Sequence, residues 1–167
     1  MINEQHIKAL TEQKIGGTAL FLVDVKVKPL NKIEVFIDAP SHISVNECVT
    51  INKYIEAGLN RDEEDFELTV SSPGIDQPFK VLSQYRKYLG REVSVLKKDG
   101  FKVIGKLNMA NEDTVEIETK RTERKPARRS DGSIKEGGEK GKGRHTIIEN
   151  VVIDTNLIKE TKLILPF

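Results

Sequence analysis

The chain has 167 residues, with 27 Lys and Arg against 26 Asp and Glu and a hydrophobic share of 37%. That is enough for one medium domain or two small ones, while the longest unbroken apolar run, Ala19 to Val23, falls far short of the roughly 20 residues a spanning helix needs. The opening Met1-Ile2-Asn3-Glu4-Gln5-His6 has no basic start and no apolar stretch, so no secretory signal is expected; one cysteine, Cys48, closes no internal disulfide, which suits a reducing, cytoplasmic setting.

The first predicted element is a weak helix over 2–14, carrying Ile7 and Leu10 and running into Gly16-Gly17. Residues 19–27 then alternate. Ala19, Phe21, Val23, Val25 and Val27 are read on one face, Asp24 and Lys26 on the other, and Ile33, Val35 and Ile37 repeat the period of two. Pro29 and Asn31 supply the turn between these strands. Ser44 with Glu47 three residues later reads as a capping box. It opens a helix whose apolar stripe is read as Val45, Cys48, Val49, Ile55 and Leu59, with Gly58 at its end. Phe66, Leu68 and Val70 form a third strand. Residues 1–78 are therefore predicted to be an α+β domain of order helix–strand–strand–helix–strand.

The stretch Ser71-Ser72-Pro73-Gly74-Ile75-Asp76-Gln77-Pro78 stops both regular periods and defines a shaped turn, with a left-handed backbone expected at Gly74. Residues 79–90 read as a junction holding a short helix over about 83–89, with Ser83 as cap, Tyr85 and Leu89 facing inward and Gly90 as stop. From 91 to 167 the pattern is all β. Val93 and Val95 lead to the hairpin signal Asp99-Gly100. Phe101, Val103, Leu107 and Met109 follow, with Gly105 placed where a bulge would bend a barrel. Asn111-Glu112-Asp113 turns into Val115, Ile117 and Thr119. Ile147-Ile148, Val151-Val152-Ile153, Leu157-Ile158 and Leu163-Ile164-Leu165 complete five short strands, predicted to form an SH3-like or Sm-like barrel.

The net charge of +1 hides an asymmetry. Residues 120–144 hold ten basic groups and four acids, a balance of +6, which leaves −5 for the rest. This segment has five glycines and nothing aliphatic beyond Ala127 and Ile134, a composition that does not bury enough apolar surface to order itself. It is read as a flexible basic loop at a hairpin tip. Its cations Arg121, Arg124, Lys125, Arg128, Arg129, Lys140, Lys142 and Arg144 are candidate auxiliary contacts to phosphate. Lacking aromatics, the loop has no means of stacking on bases; the alternative is a solubilising tip.

At this point the residues resemble a known family, the bacterial ribosome maturation factor RimP. The strongest match is Leu68-Thr69-Val70-Ser71-Ser72-Pro73-Gly74-Ile75-Asp76-Gln77-Pro78, at the end of the family's N-terminal domain. Leu22-Val23-Asp24-Val25, Val35-Phe36-Ile37-Asp38, Gly90-Arg91-Glu92-Val93 and Ile158-Lys159-Glu160-Thr161-Lys162-Leu163 support it, over about residues 19–167 apart from the basic loop. Two departures stand out: Gln77 where the family usually has arginine, and Thr161-Lys162 for an alanine–arginine pair. The resemblance implies a non-enzymatic factor that binds the immature small (30S) ribosomal subunit through ribosomal RNA and a decoding-region protein. It also implies Ser71, Ser72, Pro73, Gly74, Asp76 and Pro78 as ribosome-binding or junction candidates, the bland reading of the turn being a structural hinge.

A second class is an Sm-type RNA chaperone acting on other RNAs. Such proteins close rings by strand pairing, whereas an extra N-terminal domain argues for a monomer. No cofactor, small-molecule substrate or membrane partner is implied. Cys48 and His42 invite a nucleophile–base reading, but a thiol on an apolar helix stripe is ordinarily core. Three histidines and one cysteine show no metal-ligand spacing, and the Gly137-Gly138 region lacks the strand-to-helix setting of a phosphate loop. Asp24, Glu34 and Asp38 read as solvated carboxylates on strand faces. The run Asp62–Asp65 reads as a solvated loop, or as a surface for a basic protein.

Overall fold

The structure, a computed structural model, describes residues 2–126, 130, 132–133 and 140–166. The chain divides into two units, Met1–Tyr88 and Leu89–Phe167.

In the first unit, helix α1 (Glu4–Ile15) starts at Asn3, whose side chain accepts from Gln5 N–H. Strands β1 (Phe21–Lys28) and β2 (Lys32–Asp38) form an antiparallel hairpin, and β3 (Glu67–Ser71) lies parallel to β2. Helix α2 (Val45–Ala57) makes the crossover a parallel pair requires. Its capping box is complete: Ser44 Oγ accepts from Glu47 N–H, and Ser44 N–H donates back to Glu47 Oε2 at 2.8 Å. Ile7, Ile15, Val25, Ile33, Val35, Ile37, Ile51, Ile55 and Phe66 form the core. The α2 stripe differs from the expected one. Val45 and Val49 are exposed, while Ile51 and Ile55 are buried and Cys48 is half-buried. Choosing 48, 51, 55 and 59 keeps the helical period and turns both valines to solvent.

The strict alternation expected along β1 also fails, for a physical reason. Leu22 pairs with Ile37 and Asp24 with Phe36, so Val23 is an extra, bulged residue. Leu22 therefore packs against the core with Ile37, and Val23 is buried elsewhere, beside Pro73 and Pro78.

Helix α3 (Leu82–Lys87) closes the unit. Ser83 does not cap it; the buried Gln84 does, its Oε1 accepting from the N–H groups of Lys80 and Val81 at 2.6 and 3.2 Å. Leu89, expected inside, is exposed.

The second unit is one antiparallel sheet of five strands in the order β7-β6-β5-β4-β8. Its strands are β4 (Glu92–Lys97), β5 (Lys102–Ala110), β6 (Thr114–Pro126), β7 (Lys140–Asp154) and β8 (Ile158–Leu163). The Asp99-Gly100 turn forms as expected, with Gly100 at φ 90° and Asp99 Oδ1 accepting from Phe101 N–H. Val93, Val95, Leu107, Val115, Ile117, Ile153, Thr161 and Leu163 are buried, while Phe101 and Met109 are exposed. Among the described residues no ladder joins β7 to β8, so the pairing does not close into a barrel. The bulge expected at Gly105 is instead a break in register between Leu107 and Met109. Gly105 is small for another reason: a Cβ there would stand 2.2 Å from the backbone oxygen of Glu118.

Candidate interaction surfaces

The turn after β3 is anchored in its own unit. Ser71 ends the strand opposite Phe36. Gln77 N–H donates to Gly74 C=O at 3.0 Å, and Asp76 and Gln77 are exposed. Gly74 is not in the left-handed region, contrary to the expectation from sequence; a Cβ there would meet Asp76 Oδ1 at 2.7 Å. Its smallness leaves room for a side chain that the turn folds back. Pro73 and Pro78 line a crevice with Val23, Asp24 and Phe36 on the sheet.

Two ion pairs pin the chain beyond the turn. Lys80 Nζ pairs with Asp24 Oδ2. Lys87 Nζ sits 2.7 Å from Asp38 Oδ1, with side-chain exposures of 12% and 6%. Asp38 also accepts from Ala39 N–H at 2.9 Å. Phe79 meets Tyr85 edge-on at 5.0 Å and stacks on Tyr88 at 5.3 Å. The reading of these carboxylates as solvated is thus overturned for Asp38, which is buried, while Asp24 and Glu34 keep part of their exposure and each meet a lysine, Glu34 with Lys28 at 2.6 Å. Sequence reasoning missed Lys80, Gln84 and Lys87 as anchors. The only local signal was the density of lysine and aromatic residues just after two prolines.

The basic segment is not a loop throughout. β6 and β7 remain paired through Thr122↔Thr146 and Arg124↔Arg144 to Pro126↔Lys140. Residues 120–126 and 140–144 therefore belong to a β-ribbon, because backbone pairing needs no apolar side chains. Arg121, Arg124, Lys125, Lys140, Lys142 and Arg144 stand on it; Arg128 and Arg129 lie outside the described residues. Of the family departures, Thr161 is fully buried opposite Val95, and Lys162 lies opposite Ser94, 3.6 Å from Glu160.

Elsewhere the chemistry is sparse. Burial, reinforced by the Glu47 charge, pushes the Cys48 thiol up from its ordinary value, which keeps it protonated and a poor nucleophile at neutral pH. No group of three or more His, Cys, Asp or Glu among the described residues is placed to hold a metal. No helix among them is long and apolar enough to cross a membrane.

Comparison with known proteins agrees with this layout. Residues 10–76 match the family model described as the RimP N-terminal domain. A protein of Christiangramia forsetii named ribosome maturation factor RimP is 32% identical over 167 residues, the whole of both chains. One of the same name from Porphyromonas gingivalis is 33% identical over 121 residues, 72% of this chain and 80% of the relative. Another, from Flavobacterium psychrophilum, is 29% identical over 168 residues, again the whole of both chains. With a shared N-terminal domain and end-to-end similarity across both units, the chain belongs to the ribosome maturation factor RimP family.

Proposed function

We propose that this protein is a non-enzymatic ribosome maturation factor that binds the immature small (30S) ribosomal subunit and assists its assembly. It would help ribosomal RNA and a decoding-region protein reach their mature arrangement. The observation that carries this reading is the 32% identity across the full length to a protein named ribosome maturation factor. In this reading the anchored turn Ser71–Pro78 is a preformed contact element. Its Ser72 and Asp76 are exposed, while the ion pairs behind it hold its shape, so little ordering entropy is lost on binding. The basic ribbon adds salt-dependent attraction to ribosomal RNA phosphates. The second unit's sheet is read as a rolled SH3-like or Sm-like barrel, supported by its five antiparallel strands and by the register breaks that put an extra residue into β5 and β8.

The test is sedimentation of tagged protein with ribosomal particles from growing cells. Co-migration with free small subunits and their precursors, but not with assembled ribosomes, is expected. Migration at the top of the gradient under all conditions would refute the proposal.

A further inference from the structure

From Thr119 onward, β6 is no longer laddered to β5 and pairs with β7 alone. A two-stranded ribbon has two faces, and residues opposite each other share one. The register puts Lys120, Thr122, Arg144, Thr146 and the exposed Ile148 on the first face, together with the position of Arg124 opposite Arg144. The second holds Arg121, Glu123, His145 and Glu149. Among the described residues from Thr119 to Glu149, the acids with a place in the register, Glu123 and Glu149, both stand on the second face.

Accessibility follows this division only in part, because Arg121 and Glu149 on the second face are exposed as well. Lys120, Thr122, Arg144 and Thr146 are all exposed, whereas Glu123 and His145 are half-buried and His145 Nδ1 is wholly covered. On the second face Arg121 is engaged with Glu123 at 2.5 Å. Among the described residues neither Lys120 nor Arg144 has an ion-pair partner. Among the described residues, β pairing therefore separates Lys120 and Arg144 on one face from the Arg121–Glu123 pair on the other.

We propose that the Lys120–Thr122–Arg144–Thr146 face is a docking surface for double-helical RNA, held through its phosphates. This rests on the ribosomal reading above and names the ligand of the ribbon within it. Cations flanked by hydroxyl donors suit phosphate oxygens, and Lys120 and Arg124 stand four residues apart, about 13 Å along an extended strand. Single-stranded RNA is bound by stacking on aromatic side chains, and residues 119–149 contain no Phe, Tyr or Trp. Duplex RNA is recognised by shape and backbone, which an extended, unbranched row of cations can follow.

The test is titration of a short mixed-sequence RNA duplex, and separately of one of its strands, with the full chain at several salt concentrations. Three variants each remove one positive charge: Lys120→Gln, Arg144→Gln and, on the opposite face, Arg121→Gln. The first two are expected to weaken duplex binding several-fold and each to flatten the slope of log K against log salt by roughly 1. Arg121→Gln should leave both unchanged. Equal losses from all three would reduce the effect to net charge and overturn the proposal, as would tighter binding of the single strand than of the duplex. Absence of duplex binding at low salt would also overturn it. Co-sedimentation with small subunits, measured separately, would still decide the ribosomal reading.

Discussion

The segment after β3 and the β6–β7 ribbon are both polar, and both interrupt the regular patterns of the sequence, yet they are ordered by opposite means. The segment from Ser71 to Tyr88 has little backbone pairing and is held by side chains: two lysines on two strand aspartates, an aromatic trio and a buried glutamine cap. The ribbon is held by backbone pairing and leaves Lys120, Arg121 and Arg144 exposed. Substitution in the first should therefore unfold, and substitution in the second should change binding without unfolding. A charged residue is free to meet a partner only where something else carries the fold.

The most severe break in that contrast is Lys87→Met. It leaves the Asp38 carboxylate, 4% exposed, without its cation, and truncating one side of a buried pair costs about 3 kcal/mol or more. Chemical denaturation should show that loss, and Asp38→Asn added to Lys87→Met should recover part of it. Gly105→Ala probes the last stretch of β5 before β6 runs on alone. Its Cβ would press on the Glu118 backbone, so a loss of about 2 kcal/mol is expected, confined to the second unit and read from hydrogen exchange along β5 and β6. Cys48→Ala should cost roughly 1 kcal/mol as a half-buried truncation, with small-subunit binding intact; selective loss of binding at unchanged stability would give the thiol a direct role.

The smallest effect expected is that of pH on α2. The Ser44 backbone N–H holds the Glu47 carboxyl below its ordinary 4.5. A depressed folded value stabilises above the unfolded pKa, and that contribution is lost as pH falls through the lower folded value. Glu47→Gln should therefore narrow the gap in α2 amide protection between neutral and acidic pH.

How much was legible in sequence follows from how local each cause is. The Ser44 capping box, the Asp99-Gly100 hairpin and the Asn111 turn depend on neighbours within three residues, and all three form. The Val23 bulge depends on how β1 registers against β2, which alternation within β1 alone does not encode. Asp38 and Lys87 are 49 residues apart, so nothing near Asp38 in the chain announces its cation. The basic segment misled in a different way: composition rightly denied it a core, but strand pairing does not require one. At the turn, the Pro/Gly chemistry correctly marked a shaped segment, while the reason given for Gly74 was wrong. Its neighbours' side chains, not a positive φ, set its size.

The most direct measurement of the central claim, that recognition resides in the folded units and the ribbon only assists, is removal of the ribbon. Thr119 and Glu149 are paired, so joining them through Asn-Gly keeps the register of β6 and β7 in a two-residue hairpin. Binding of this shortened chain to precursor small subunits, titrated at several salt concentrations beside the full chain, should persist at low salt with modestly lower affinity and a flatter salt slope. Binding abolished even at low salt, in a shortened chain that still folds, would make the ribbon the reader and contradict the account.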